Sequence, residues 1–202
     1  NYLSVPRTSK LAYTTQVTFE ALVRLKSPQT TAFPYLSGII GQYQSNSGGT
    51  SSYYGPYLRL NSDASSGNAR QSVFSVLQGG VEHQITGPDL ADGQLTYIIG
   101  TYDGSRIALF VNGVKYSASL TGAFDNDASN FISIGSEYVA SSPAFSNNRC
   151  FNGDIYWAAI RDVGLTDAEG IALSGSLNPW QLFEPEQIVV KAGAGAAVPS
   201  GV

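Results

Sequence analysis

Two turn dipeptides, Asp103-Gly104 and Asn112-Gly113, most narrow what this chain can fold into. Each is set between runs of alternating apolar residues. Asp-Gly and Asn-Gly tolerate the positive φ of a two-residue type I′ turn, whose twist matches its flanking strands. Leu95–Tyr102, Arg106–Val111 and Val114–Ser117 are therefore predicted to form an antiparallel meander with tight turns at both dipeptides.

The rest of the chain reads with the same period of two. In Val17–Leu25, residues Val17, Phe19, Ala21, Val23 and Leu25 share one face, as in a half-buried strand. Further strands are predicted at Leu36–Tyr43, Pro56–Leu60, Ser72–Gln78, Val81–Ile85, Phe131–Gly135 and Asp154–Arg161, the last with Ile155 and Trp157 on one core face. A single helix is expected. Thr166 and Glu169 form a capping box, but Gly170 shortens the expectation to a turn or two. Gln44–Ser52 and Asn61–Asn68 are loops of small polar residues, and Ala192–Gly201 reads as a low-complexity linker.

Composition narrows the function classes. Only 13% of residues are charged, about half the usual share, which suits a rigid, loop-rich sandwich. The net charge is −4 with no cluster of Lys or Arg, so no nucleic-acid partner is expected. Ile188–Val198 is broken by Lys191 and glycines, so no membrane insertion is expected. With one cysteine, Cys150, an intrachain disulfide is ruled out. The chain lacks methionine, so it reads as processed, trimmed or begun at an internal point, and Asn1–Lys10 shows no signal-peptide pattern from which export could be judged.

Four segments in order resemble the laminin-G-like, concanavalin-A-like lectin/glucanase superfamily: Asn1–Pro6, Val17–Arg24, Gly100–Gly113, and Ile132–Gly135 leading to Phe151–Ile155. The resemblance implies an all-β fold, an antiparallel two-sheet jelly-roll sandwich with one short helix near the C-terminus. It covers about residues 1 to 174. Many members carry tryptophan where Leu22 and Leu95 stand, and begin with one more strand before the position of Asn1. That strand is expected upstream or from another subunit. Leu177–Phe183 resembles an ending found in bacteriophage and prophage structural proteins. The chain is divided into a jelly-roll domain at 1–183 and an extended arm or linker at 184–202.

Some relatives are glycoside hydrolases, which need two carboxylates flanking the scissile bond. No strand here carries such a pair, Glu20 stands alone, and the chain is read as not an enzyme. His83 has no second histidine and no nucleophile elbow to serve, so it reads as a strand-surface residue. Cys150 reads as a packing residue. No cofactor is expected, although Asp125 and Asp127 bracket Asn126 with oxygens at alternate positions, as calcium sites prefer. Turn chemistry accounts equally for that pattern.

Tyr53 and Tyr54 follow the polar loop Ser45–Ser52, and Tyr138 and Phe145 flank another long loop. All four are candidates to stack on sugar faces, while Tyr57 is expected in the core. Trp180, Leu182 and Phe183 are expected to latch onto the domain, with Ile188, Val189 and Val190 contacting another subunit. The expected function is a non-catalytic virion component of a bacteriophage, in head decoration, fibre or tail. It would form a homo-oligomer among other virion subunits and contact host-surface glycans. A carbohydrate-binding module of a secreted bacterial protein is the alternative, and a glycoside hydrolase comes third.

Overall fold

The computed structural model describes residues 3–5, 13–26, 36–42, 44–45, 55–62, 69–126, 132–136, 138–139, 144–145 and 150–177. In chain order the strands are β1 (Leu3–Val5), β2 (Val17–Leu25), β3 (Leu36–Gly41), β4 (Gln44–Ser45), β5 (Tyr57–Ser62), β6 (Ala69–Gln78), β7 (Val81–Asp89), β8 (Leu95–Tyr102), β9 (Arg106–Val111), β10 (Val114–Ser119), β11 (Ile132–Ile134), β12 (Tyr138–Val139), β13 (Ala144–Phe145) and β14 (Gly153–Arg161). Helix α1 (Asp167–Ser176) follows. The strands build a six-stranded sheet in the order β1-β11-β3-β5-β6-β7 and a five-stranded sheet in the order β10-β9-β8-β2-β14. A small third sheet runs β13-β12-β4.

The predicted meander is present, with Tyr102 paired to Ile107 and Val111 to Val114. At the second turn Asn112 (φ 48°) and Gly113 (φ 84°) are both left-handed, as type I′ requires. The first turn sits one residue later than predicted. Asp103 N donates to Arg106 O at 3.2 Å, so Gly104 (φ 90°) and Ser105 are its central pair. The Asp103 carboxylate accepts from Ser105 N, Ser105 Oγ and Arg106 N at 2.7–2.9 Å. Its role is that of an acceptor closing the turn.

The alternating face of β2 enters the main core, where Val17, Phe19, Ala21, Val23 and Leu25 are buried against Leu58, Phe74, Ile98 and Leu109. Phe19 and Phe74 meet edge to face with centroids 6.2 Å apart. Gly100 opens the space for that ring, since a Cβ there would lie 2.2 Å from Phe74 Cδ2.

A second apolar layer covers the outer face of the five-stranded sheet. Leu22, Tyr97, Ile99, Ala108 and Phe110 pack with Leu165 and Leu173, and Leu95 and Trp157 join at the margin. The helix that supplies Leu173 spans ten residues, longer than expected. Its capping box is complete between Thr166 and Glu169. Gly170 does not interrupt it, because that position is where the helix meets the sheet: a Cβ would fall 2.4 Å from Phe110 Cε2.

One core assignment is corrected and a second is refined. A bulge between Ile155 and Trp157 shifts the β14 register. Ile155 therefore packs on the main core and Trp157 on the outer layer, because one extra residue inverts the side-chain alternation beyond it. Tyr57 is buried, yet it lies outside the main core. It clusters with Leu77 on the outer face of the six-stranded sheet, opposite Leu58 and Leu60 on the same strand.

Candidate functional site

Two of the four aromatic candidates, Tyr138 and Phe145, fall on short strands that follow β11. Gln44 and Ser45, expected in a loop, pair in parallel with Tyr138 and Val139. β12 also pairs antiparallel with β13, in a register that sets Tyr138 directly against Phe145. On either side of 43–54 the described residues are drawn together, because Gln42 N donates to Pro56 O at 3.1 Å. Gly55 lies against the Gln42 side chain, too close for any Cβ. Tyr53 and Tyr54, immediately before Gly55, lie outside the described residues.

The outer face of the six-stranded sheet carries a charged network that sequence reading missed. Arg59 Nη2 donates to Glu82 Oε1 at 3.0 Å and to Gln84 Oε1 at 3.2 Å. Ser75 Oγ donates to Glu82 Oε1 at 2.8 Å. The Tyr57 hydroxyl donates to Glu82 and accepts from Arg59, whose guanidinium lies 4.5 Å from the Tyr57 ring centroid. Burial pushes the Tyr57 hydroxyl well above its ordinary range, keeping it protonated. The available signal was the spacing of two, which puts Tyr57 and Arg59 on one face of β5. Gly38, Gly41, Ser133 and Ser136 form a small-residue floor beside Tyr57.

An open hollow of about 660 Å³ lies at the sandwich edge, lined by Leu3, Ile134, Phe151, Ile155, Tyr156 and the backbone around Gly153. Asp154 on its lip binds Lys26 at 2.5 Å and Arg24 at 2.9 Å. Hydrogen bonds from Lys26 and then Arg24 hold its carboxyl at about 2. The Arg24 guanidinium lies 5.5 Å from the exposed Tyr156 ring centroid.

Other carboxylates are committed within the fold. Glu20 is fully buried and accepts from Tyr97 Oη at 2.6 Å and from Arg161 Nε. Asp125, a calcium candidate, accepts from the backbone N–H groups of Gly79 at 3.1 Å and Gly80 at 2.7 Å. Its oxygens thus fasten the β6–β7 turn. Asp127 lies outside the described residues. Among the described residues no group of three or more His, Cys, Asp or Glu is placed to hold a metal ion. His83 is half-buried on β7, and Cys150 bridges in parallel to Gly38. Trp180, Leu182, Phe183, Ile188, Val189 and Val190 lie outside the described residues, as does the whole of 184–202.

A family model described as the concanavalin A-like lectin/glucanases superfamily matches residues 1–169. Among curated proteins, none matches the chain. Solved structures share the fold. The CBM40 of the Ruminococcus gnavus IT-sialidase, bound to α2,3-sialyllactose, is 18% identical with a TM-score of 0.58, covering 81% of this chain and 84% of that one. Domain 4 of an extracellular arabinanase from Geobacillus stearothermophilus, in complex with arabinotriose, is 16% identical with a TM-score of 0.55, covering 86% and 72%. A heptameric pentraxin from Limulus polyphemus is 14% identical with a TM-score of 0.55, covering 86% and 81%. The chain spans only 43% of a matching Bacteroides ovatus protein.

Proposed function

The chain belongs to the concanavalin A-like lectin/glucanase superfamily, and from that membership we propose that it is a non-catalytic carbohydrate-binding module whose small third sheet holds the glycan. The observation that carries this reading is the register pairing Tyr138 with Phe145. Aromatic positions paired across two strands suit the apolar C–H faces of a pyranose. Relatives of this fold with bound sialyllactose and arabinotriose support a glycan as the partner class. The ion pairs of Asp154 support binding over hydrolysis, since a carboxyl held at about 2 stays ionised and is no general acid. A place in a bacteriophage particle, suggested by Leu177–Phe183, is compatible with this role: the third sheet would meet a host-surface glycan while other faces meet virion subunits.

A glycan array probed with the full chain tests the proposal. Selective retention of one glycan class is expected, abolished by Tyr138→Ala or Phe145→Ala with the melting temperature unchanged. Binding that survives both substitutions would move the site elsewhere.

A further inference from the structure

We propose that a second hollow, at the end of the sandwich where β7 runs into β8, is a binding site for a neutral pyranose sugar, separate from the third sheet. The hollow measures about 300 Å³, at the small end of ligand sites. Its floor is apolar. Leu90 and Val111 are buried in the main core, and Tyr116 packs against that core while only half-buried. Four polar side chains line the same space: Asp89, Gln94, Thr96 and Asn112. Among the described residues, the side chains of Asp89, Gln94 and Tyr116 make no hydrogen bond or ion pair. Asn112 spends its Oδ1 on Tyr97 N, which leaves its Nδ2 donors unused. Thr96 carries the argument furthest. It lies opposite Val23 of β2, on the core face of the sheet, and is 2% exposed with no described partner for its hydroxyl. Burying a hydroxyl without a hydrogen bond destabilises a fold, and a ligand in the hollow would supply the missing bond.

The walls are fixed before any ligand arrives. Ser72 Oγ donates to Pro88 O at 3.0 Å, Leu90 N donates to Arg70 O at 2.9 Å, and Arg70 holds Asp92 at 2.7 Å. Gly87 lets β7 close on β9, since a Cβ there would lie 2.9 Å from Leu109 Cδ2. The ligand class follows from the lining. A pyranose has an apolar C–H face for the floor and Tyr116, and its hydroxyls both donate and accept. Asp89 as acceptor, Asn112 as donor, and Gln94 and Thr96 as either can satisfy them. Among the described lining residues Asp89 alone is charged, so a sialic or uronic acid would be repelled. An alkylammonium ion would pair with Asp89 but leave the neutral polar groups unmatched. The site is also remote from the third sheet. Asp89 is level with Gln71 and Asn61, whereas Tyr57, at the opposite end of β5, pairs with Gly41 just before β4. Those two levels are four residues apart, roughly 13 Å along a strand.

Titration of the full chain with the methyl glycosides of glucose, galactose and mannose, followed by amide NMR, tests the site. Saturable shifts are expected at Leu90–Thr96 and Asn112–Tyr116 with at least one of them, and no comparable response to N-acetylneuraminate or choline. Asp89→Ala and Thr96→Val should each weaken that binding by roughly tenfold or more, the worth of a hydrogen bond left unmade. Thr96→Val gives a second readout, because removing an unpartnered hydroxyl should hold or raise the melting temperature while binding falls. A lower melting temperature would overturn the site by showing that hydroxyl already bonded within the fold. No saturable shift with any of the three glycosides would also overturn it, as would a stronger response to N-acetylneuraminate or choline. Shifts at the hollow that persist in Tyr138→Ala would support this site whatever the glycan array shows. Shifts confined to Tyr138, Val139, Ala144 and Phe145 would overturn it and leave the reading of the third sheet intact.

Discussion

The Tyr97 hydroxyl donates a 2.6 Å hydrogen bond to Glu20 Oε2 beneath the outer layer of the five-stranded sheet, where both residues are fully buried. Burial, and then the bond to Glu20, push the Tyr97 hydroxyl above its ordinary range, so it remains a donor. Arg161 Nε supplies the opposite charge to the other carboxylate oxygen. β8, β2 and β14 are thereby joined across the sheet by side chains as well as by their ladders.

Removing one member should expose how this buried charge is held. Arg161→Ala is expected to destabilise the fold by about 3–5 kcal/mol, because it leaves Glu20 buried without its cation. Tyr97→Phe should cost about 1.5–3 kcal/mol, the range for a hydrogen bond to a charged group. A Glu20→Leu, Arg161→Leu double variant should be more stable than Arg161→Ala, since no lone charge remains. Guanidinium unfolding measures all three. A double variant no better than the single would show that the pair contributes more than mutual neutralisation.

Gly170→Ala offers a contest between propensity and packing. Alanine gains about 1 kcal/mol over glycine inside a helix. Here its Cβ would press on Phe110, a ring buried between sheet and helix, and overpacking costs about 1–3 kcal/mol. Net destabilisation is expected, with partial recovery when Phe110→Leu is added. Stabilisation by the single change would mean that α1 shifts freely on the sheet.

The Asp154 ion pair predicts a specific acid response. Its carboxyl is held at about 2, below its ordinary 3.8, first by Lys26 and then by Arg24. A depressed folded value means the contribution is present above pH 3.8 and is lost as the pH falls towards 2. NMR titration of Asp154 should give a midpoint near 2, and Lys26→Ala should raise it. An Asp154 midpoint unmoved by that substitution would assign the shift to Arg24 alone.

Asn112 is expected to tolerate few replacements. It combines a left-handed backbone with two bonds to Tyr97, its Oδ1 accepting from Tyr97 N at 2.9 Å and its N donating to Tyr97 O at 3.1 Å. Asn112→Ala loses both the conformational tolerance and the acceptor, for about 1–3 kcal/mol. Asn112→Gly loses only the acceptor and should lie between it and the parent in thermal unfolding. Equal effects from both variants would show that the side-chain bond contributes nothing.

Local chemistry in the sequence was enough to set the β-class, the meander, the alternating face of β2 and the capped start of α1. Each depends on residues within a few positions of one another: Asn112 beside Gly113, Val17 through Leu25, and Thr166 with Glu169. The candidate site was only partly legible. Tyr138 and Phe145 could be proposed as loop aromatics, but their direct pairing is a register between β12 and β13.

What the tertiary structure alone decided depends on neighbours distant in the chain. A bulge opposite β2 sent Ile155 and Trp157 to different layers, and no local pattern marks where a partner strand will skip a residue. Gly170 reads as a helix breaker until Phe110, which lies far from it in sequence, occupies the place of its side chain. Arg59 and Glu82 are ordinary strand charges until β6 brings β5 and β7 together. Glu20 likewise gains its meaning only when Tyr97 and Arg161 arrive from either side. Propensity and capping act over a few residues and can be read along the chain, whereas packing, register and charge compensation are properties of surfaces that exist only once the sheets have formed.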